Sequence, residues 1–329
     1  MNSRFAKEYV GGQLCIKPEY PTHQFTGQTI IVTGSNTGMG MEAARHFVRL
    51  DAAKVILAVR STAKGEQAAK DIATSTKRDG VAEVWQLDLA SYQSVEAFAQ
   101  RASALPRLDV LVGNAGIFFF DFEIAEDNEA HITVNVVSHM LLTMLLLPKL
   151  RETSIATGKP SVVTLVGSFT HWMTSFPERK NDNILDHLND KTKARMRDRY
   201  YVSKLIQLLT AREFAKEVTN STKPGRVIVS VTNPGFVRTD IMRHGGPLFQ
   251  IYLKIISAAF ARTTEEGART LVLPAQGDEA THGKYMNDGI IAEPSDWVLS
   301  EEGREKQQQL WRELAAKLEQ IHPGILGNI

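Results

Sequence analysis

A single doubly wound α/β domain is the fold class this sequence predicts: a mainly parallel sheet of about seven strands with helices on both faces. Three observations lead there. Short apolar, β-branched runs alternate with longer helical patterns through most of the chain, as repeated βαβ units do. The first such run enters a glycine-rich turn, Thr33-Gly34-Ser35-Asn36-Thr37-Gly38-Met39-Gly40, with a helical pattern directly behind it. No repeat or low-complexity linker divides the chain, so residues 28–299 read as one domain. Residues 1–27 form an extension before it, and residues 300–329 form an amphipathic helix packing on it.

Taken in order, the expected strands are Thr29–Val32, Lys54–Val59, Glu83–Leu87, Val110–Val112, Ser161–Val166, Arg226–Val231 and a short one near Lys284–Met286. Helical stretches fall at Met41–Leu50, Ala63–Ile72, Val95–Ala104, Glu129–Leu147 and about Lys193–Val218, then Leu248–Phe260 and Thr264–Leu273. In the tail, Leu310, Leu314, Leu318 and Ile321 share a face. The long connection after Val166 carries His171, Trp172, Met173 and Phe176.

Composition narrows the function classes. With 43% apolar and 23% charged residues and a net charge of +1, the chain has a globular composition and no electrostatic footprint for nucleic acid. Its one cysteine, Cys15, cannot form an intrachain disulfide, and a reducing, cytoplasmic setting is expected. Residues 1–8 have no apolar core of the kind a signal peptide carries. No metal is expected, since no His-Glu-x-x-His or paired-cysteine pattern occurs.

The glycine turn suits a dinucleotide. Gly34 lets the chain turn off the strand, Gly38 lets backbone approach a pyrophosphate, and Gly40 lets the helix pack on the sheet. Phosphates then meet free N–H groups at the positive helix end. Further along, Tyr200 and Lys204 lie four apart and share a helix face, where an ammonium would favour phenolate. Ser168 follows the apolar strand at the carboxyl edge of the sheet, where a hydroxyl can meet an oxygen gaining charge. Asn135 sits in an apolar helix and needs a buried partner. Plainer readings stand beside these: an exposed Tyr–Lys pair, a serine capping a loop, a satisfied core amide.

In this order and spacing, over residues 27–290, the chain resembles the short-chain dehydrogenase/reductase family. The matching motifs are the Thr33–Gly40 turn, Asp88, Asn114-Ala115-Gly116, Asn135, Ser168, Tyr200 with Lys204, and Asn233-Pro234-Gly235 with Thr239. The resemblance implies a Rossmann-fold oxidoreductase with Tyr200 as acid/base and Ser168 orienting the carbonyl. Lys204 would hold the nicotinamide ribose and lower the tyrosine pKa, and Asn135 would support a water-linked relay. The cofactor would lie along Gly34, Ser35, Asn36, Thr37, Gly38, Met39, Gly40, Arg60, Asp88, Asn114, Ala115, Gly116, Pro234, Gly235, Val237 and Thr239, besides Tyr200 and Lys204. The run Arg199-Tyr200-x-x-Ser203-Lys204-Leu205 and the long connection are similar to the retinol-dehydrogenase-like branch and to fungal reductases that tailor secondary metabolites. Two positions depart from the family pattern: Gly113 stands where asparagine is usual, and Gly167 where serine is usual.

The end of the second strand reads Ala58-Val59-Arg60-Ser61, with no acid for a ribose hydroxyl and an arginine suited to a 2′-phosphate, so NADP(H) is the expected cofactor. Leu248, Phe249, Ile251, Tyr252, Leu253, Ile255, Ile256 and Phe260, with Trp172, Met173 and Phe176, are expected to wall an apolar pocket under a lid near 240–262. The substrate is then a small hydrophobic ketone, aldehyde or alcohol; a dimer face or a shallow membrane contact are the other readings of the patch. The functional alternative is a non-catalytic dinucleotide sensor on the same fold. A sugar-nucleotide epimerase is disfavoured by the spacing of the glycine turn.

Overall fold

The computed structural model describes residues 11–239, 241 and 246–329, with 247–249 and 251–253 described through their backbone alone. Its centre is an eight-stranded sheet: β1 (Thr29–Thr33), β2 (Lys54–Val59), β3 (Ala82–Gln86), β4 (Val110–Gly113), β7 (Ser161–Val166), β8 (Val227–Asn233), β9 (Tyr285–Asn287) and β10 (Ile290–Ala292). The order is β10-β9-β8-β7-β4-β1-β2-β3, parallel throughout except for the β9–β10 pair. A separate small hairpin pairs β5 (Ile124–Ala125) with β6 (Asn128–Glu129).

The strands are continuous apolar runs because both faces of the sheet are covered. Alternate side chains point to opposite faces. Ile31, Ile56, Leu111, Val163 and Val229 join one core cluster, and Ile30, Val32, Val55, Leu57, Val110 and Ile228 join the other. After the five-residue α1 (Gly11–Cys15), the second cluster is covered by α2 (Gly38–Arg49) and α3 (Thr62–Thr76). The first cluster takes α4 (Tyr92–Ser103), α5 (Ala130–Thr157), α6 (Ile184–Leu188) and α7 (Met196–Asn220). Next come α8 (Pro247–Phe260), α9 (Thr264–Val272) on the second cluster, and α10 (Asp296–Leu299). In α11 (Glu301–Ile321), Leu310, Trp311, Leu314 and Leu318 are buried, with Trp311 5.8 Å from Phe214 of α7.

Three elements differ from the sequence expectation. The sheet gains β10, which turns back from β9 through Asp288 and Gly289, both at positive φ (56° and 87°). Asp-Gly between apolar runs is a hairpin signal that the reading passed over. The helix expected to stop at Leu147 runs through Pro148 to Thr157. A proline there leaves the carbonyl of Met144 without its i+4 donor, and Asn328 Nδ2 supplies one at 3.0 Å. The same helix contains a π-helical turn, Thr133–Val137. By length and a mean hydropathy of 1.6, α5 would suffice to cross a membrane, but 94% of that window is buried inside the fold.

Candidate active site

The carboxyl ends of β1, β4, β7 and β8 converge on one edge of the sheet. At β1, Gly34 has φ +65°, and a Cβ there would come within 2.9 Å of Ala115 Cα, so only glycine lets the two loops approach. A Cβ on Gly40 would lie 2.5 Å from Asn114 Nδ2 and 2.6 Å from Gly34 O. Asn114 Nδ2 donates to Thr33 O at 2.9 Å, and Ala115 N–H donates to Thr33 Oγ1 at 2.9 Å, tying the β4 loop to the glycine turn. Ser35 is fully buried and donates to Val32 O at 2.8 Å, so its hydroxyl shapes the turn. Thr37 caps α2 without a side-chain bond, and the first N–H groups of the helix at Gly38, Met39 and Gly40 have no partner within it.

Gly113 and Gly167, the two departures, have steric causes. A Cβ on Gly113 would meet His139 Nδ1 at 3.0 Å and Leu165 Cδ2 at 2.6 Å; one on Gly167 would meet Val231 Cγ1 at 2.6 Å. His139 Nε2 donates to Ala115 O at 2.7 Å and so holds the β4 loop from below. Burial first, and the nearby Lys204 charge, bring its pKa down to about 4, leaving a neutral imidazole. The sequence reading missed this histidine, whose cue was a polar residue in an apolar helix.

Four side chains gather beyond that loop. Tyr200 projects from α7 and Ser168 follows β7; burial pushes the phenol pKa up, and the neighbouring Ser168 hydroxyl pulls it back. Lys204 is buried, its Nζ donating to Val166 O at 2.7 Å and Gln207 Oε1 at 3.1 Å. Its Nζ lies 6.0 Å from the Tyr200 ring centroid, and burial draws its pKa down to about 7. Asn135 sits in the π-helical turn, accepting from Ile117 N–H at 3.0 Å and donating to Ile117 O at 3.1 Å and Ser203 Oγ at 3.0 Å. Gly116 passes between Asn135 and Lys204, a Cβ there lying 3.3 Å from Asn135 Oδ1 and 3.8 Å from Lys204 Nζ.

A family model described as short chain dehydrogenase matches residues 28–169. The short-chain dehydrogenase anuD of Penicillium roqueforti (strain FM164) is 44% identical over 98% of this chain and 86% of its own. The chain belongs to the short-chain dehydrogenase/reductase family. The short chain dehydrogenase/reductase dmxR8 of Cryptosporiopsis sp. (strain 8999) is 43% identical over 97% of this chain and 99% of its own. Among solved structures, the oxidoreductase yciK from E. coli superposes with a TM-score of 0.60 at 24% identity, covering 82% of this chain and 98% of its own. The Pseudomonas aeruginosa RhlG/NADP active-site complex gives 0.59 at 24% identity, covering 82% and 97%. These structures carry the fold, and the family is one of oxidoreductases that use a nicotinamide dinucleotide.

The remaining expected positions follow the carboxyl ends of β2, β3 and β8. Arg60 is exposed beyond β2 and makes no hydrogen bond or ion pair among the described residues. Asp88 Oδ1 accepts from Ala90 N–H at 2.9 Å, which shapes the loop after β3. Pro234 and Val237 are buried, and Gly235 (φ +80°) and Thr239 are half-buried. Asn233 joins them to Ser168's loop: its Oδ1 accepts from Phe169 N–H at 3.0 Å and Gly235 N–H at 3.2 Å.

On the substrate side, Phe118 meets Tyr200 edge-on at 4.8 Å and Phe120 at 5.1 Å, aromatic neighbours that the reading did not single out. Phe176, expected in the pocket wall, lies instead in the core, 5.9 Å from Trp297. Met173 is exposed. His171 is buried and neutral: burial brings its pKa to about 4, Nδ1 donates to Ser168 O at 2.7 Å, and Nε2 accepts from Ser295 N–H at 3.2 Å. It clamps the Ser168 loop and leaves no nitrogen for substrate. Of the expected lid, Ile255 and Phe260 are exposed, while residues 240 and 242–245 and the side chains of Leu248, Phe249, Ile251, Tyr252 and Leu253 lie outside the described residues.

Proposed function

We propose that this chain is an NADP(H)-dependent reductase or dehydrogenase that interconverts a hydrophobic ketone or aldehyde and its alcohol. The observation that carries the reading is the gathering of Tyr200, Ser168 and buried Lys204 at the carboxyl end of β7, with Lys204 Nζ bonded to Val166 O and 6.0 Å from the Tyr200 ring centroid. The residues present fit a dinucleotide: Gly34 and Gly40 let the β4 loop, the glycine turn and α2 pack tightly, while Gly38 faces open space where the first N–H groups of α2 have no partner within the helix. When bound, the nicotinamide ring supplies or accepts the hydride.

The protein's own residues manage the proton and the geometry. Burial keeps the Tyr200 phenol protonated at neutral pH, ready to donate to a carbonyl oxygen as negative charge grows there. Ser168 gives that oxygen a second hydrogen bond. Lys204, fixed by Val166 O and Gln207, stands behind the phenol to receive ribose hydroxyls and to return the proton. Asn135 holds the Ile117 backbone that faces them. Phe118 and Phe120 beside the phenol support a hydrophobic substrate. Exposed Arg60 supports the 2′-phosphate and hence NADP(H). Fungal relatives support a tailoring role in secondary metabolism.

The test is Tyr200→Phe, assayed with NADPH and a panel of hydrophobic carbonyls. Turnover should fall by about 10²- to 10⁴-fold, the usual share of general acid catalysis, with nucleotide affinity nearly unchanged. Near-wild-type turnover in that variant would refute the assignment.

A further inference from the structure

The N-terminal extension is fastened along its whole described length. Near the domain, Phe25 is fully buried and meets Phe47 of α2 edge-on at 4.9 Å. Midway, the Tyr20 ring lies 4.5 Å from the Arg49 guanidinium and 5.1 Å from that of Arg269. Those arginines also donate to the extension's backbone, Arg49 to Pro21 O at 2.7 Å and Arg269 to Pro18 O at 3.0 Å.

Its far end, α1, reaches the loop after β8. Gln13 spends its whole amide there: Oε1 accepts from Phe236 N–H at 2.8 Å, and Nε2 donates to Phe236 O at 2.9 Å and to Phe260 O at 2.8 Å. Phe236 is thus gripped through both backbone groups, as a strand partner would grip it. From the other side, buried Arg262 donates to Pro234 O at 3.1 Å, to Gly12 O at 3.0 Å and to Ile16 O at 2.8 Å, and pairs with buried Asp288. Gly235 lies between the two clamps: a Cβ on it would fall 2.5 Å from Gln13 Oε1 and 2.7 Å from Arg262 Nη1.

We propose that Gln13 and Arg262 are positioning residues of the nucleotide site, holding the Pro234–Phe236 turn where it meets the nicotinamide half of the dinucleotide. The proposal rests on the dinucleotide reading above. Besides Asn233 and a backbone bridge, in which Arg262 N–H donates to Phe236 O at 2.9 Å and Arg238 N–H to Arg262 O at 3.0 Å, the turn is held by Gln13, 223 residues away from Phe236 in sequence. Among the described residues neither Gln13 nor Arg262 bonds to α2 or β2, where the adenine half would lie.

That asymmetry gives the test. Affinities of the full chain for NADPH and NADH are measured by fluorescence titration, beside 2′,5′-ADP and 5′-AMP, which carry the adenine half alone. In Gln13→Ala and in the same-sized Gln13→Glu, affinity for the whole dinucleotide should fall about tenfold, as expected for losing two or three hydrogen bonds to a loop that must be ordered. Affinity for the adenine-half fragments should stay within twofold. Arg262→Lys should retain more dinucleotide affinity than Arg262→Met. Unchanged dinucleotide affinity in both Gln13 variants would overturn the proposal, as would equal losses for dinucleotide and fragments. A wild-type chain that binds neither NADPH nor NADH would overturn the dinucleotide reading, and this inference with it.

Discussion

Arg60 is the residue on which nucleotide choice turns. It stands exposed where β2 ends, and the next residue begins the cap of α3. A 2′-phosphate there would gain a charge-assisted, two-pronged contact that a ribose hydroxyl could not match. Arg60→Ala should therefore weaken NADPH by roughly 10- to 150-fold, the range for losing one charge-assisted hydrogen bond, and change NADH little. Comparing kcat/KM for both nucleotides in wild type and variant decides it; equal losses would remove Arg60 from the phosphate site. An acid that favours NADH should be placed at position 60 itself. Val59 is buried against α3, where even a Cβ on Gly65 would fall 2.7 Å from its Cγ2, so an aspartate there would bury a charge.

Among the elements, α5 shows how local rules can be overruled at a distance. Pro148 reads as a helix end, yet the helix continues because Asn328 satisfies the Met144 carbonyl that the proline abandons. Asn328→Ala should cost about 1–3 kcal/mol in urea unfolding, the penalty for an unpaired buried acceptor. In a Pro148→Ala background the regained N–H takes over, and the same change should cost much less. Equal costs in both backgrounds would break the link. The same element explains what was legible in the sequence. Strands β1, β2, β4 and β7 could be read from their apolar runs, Tyr200 with Lys204 from their spacing, Ser168 from its place after an apolar strand and Asn135 from its place in an apolar helix. What could not be read is what depends on partners far along the chain: His139 beneath Ala115, His171 between Ser168 and Ser295, Gln13 on Phe236. Periodicity carries no information about such pairs. The β10 hairpin was readable from Asp288-Gly289 and was missed.

For the molecule as a whole, two buried histidines set a limit on acid tolerance. Burial lowers His139 and His171 to about 4 from an ordinary 6.5, each with its ring bonded as a neutral imidazole. Between those values the unfolded chain binds more protons than the folded one, so stability is present above pH 6.5 and is lost as pH falls toward 4. Each site is worth on the order of 3 kcal/mol over that window. The thermal midpoint should drop between pH 7.5 and pH 5, and His139→Gln or His171→Gln should flatten the drop while lowering stability at neutral pH. A wild-type midpoint level across that range would refute it. The Asn328–Met144 bond has a consequence in time as well as in space. The two residues are 184 apart, and at a synthesis rate of about 5–20 residues per second the carbonyl waits roughly ten to forty seconds for its donor. Through that interval a long, apolar helix has emerged with a gap in its hydrogen bonding, for the first part of it without α7 and for most of it without α11 beside it. The nascent chain thus presents an apolar, incomplete segment to whatever chaperones attend the ribosome, and its hydrogen bonding is completed only when the tail arrives.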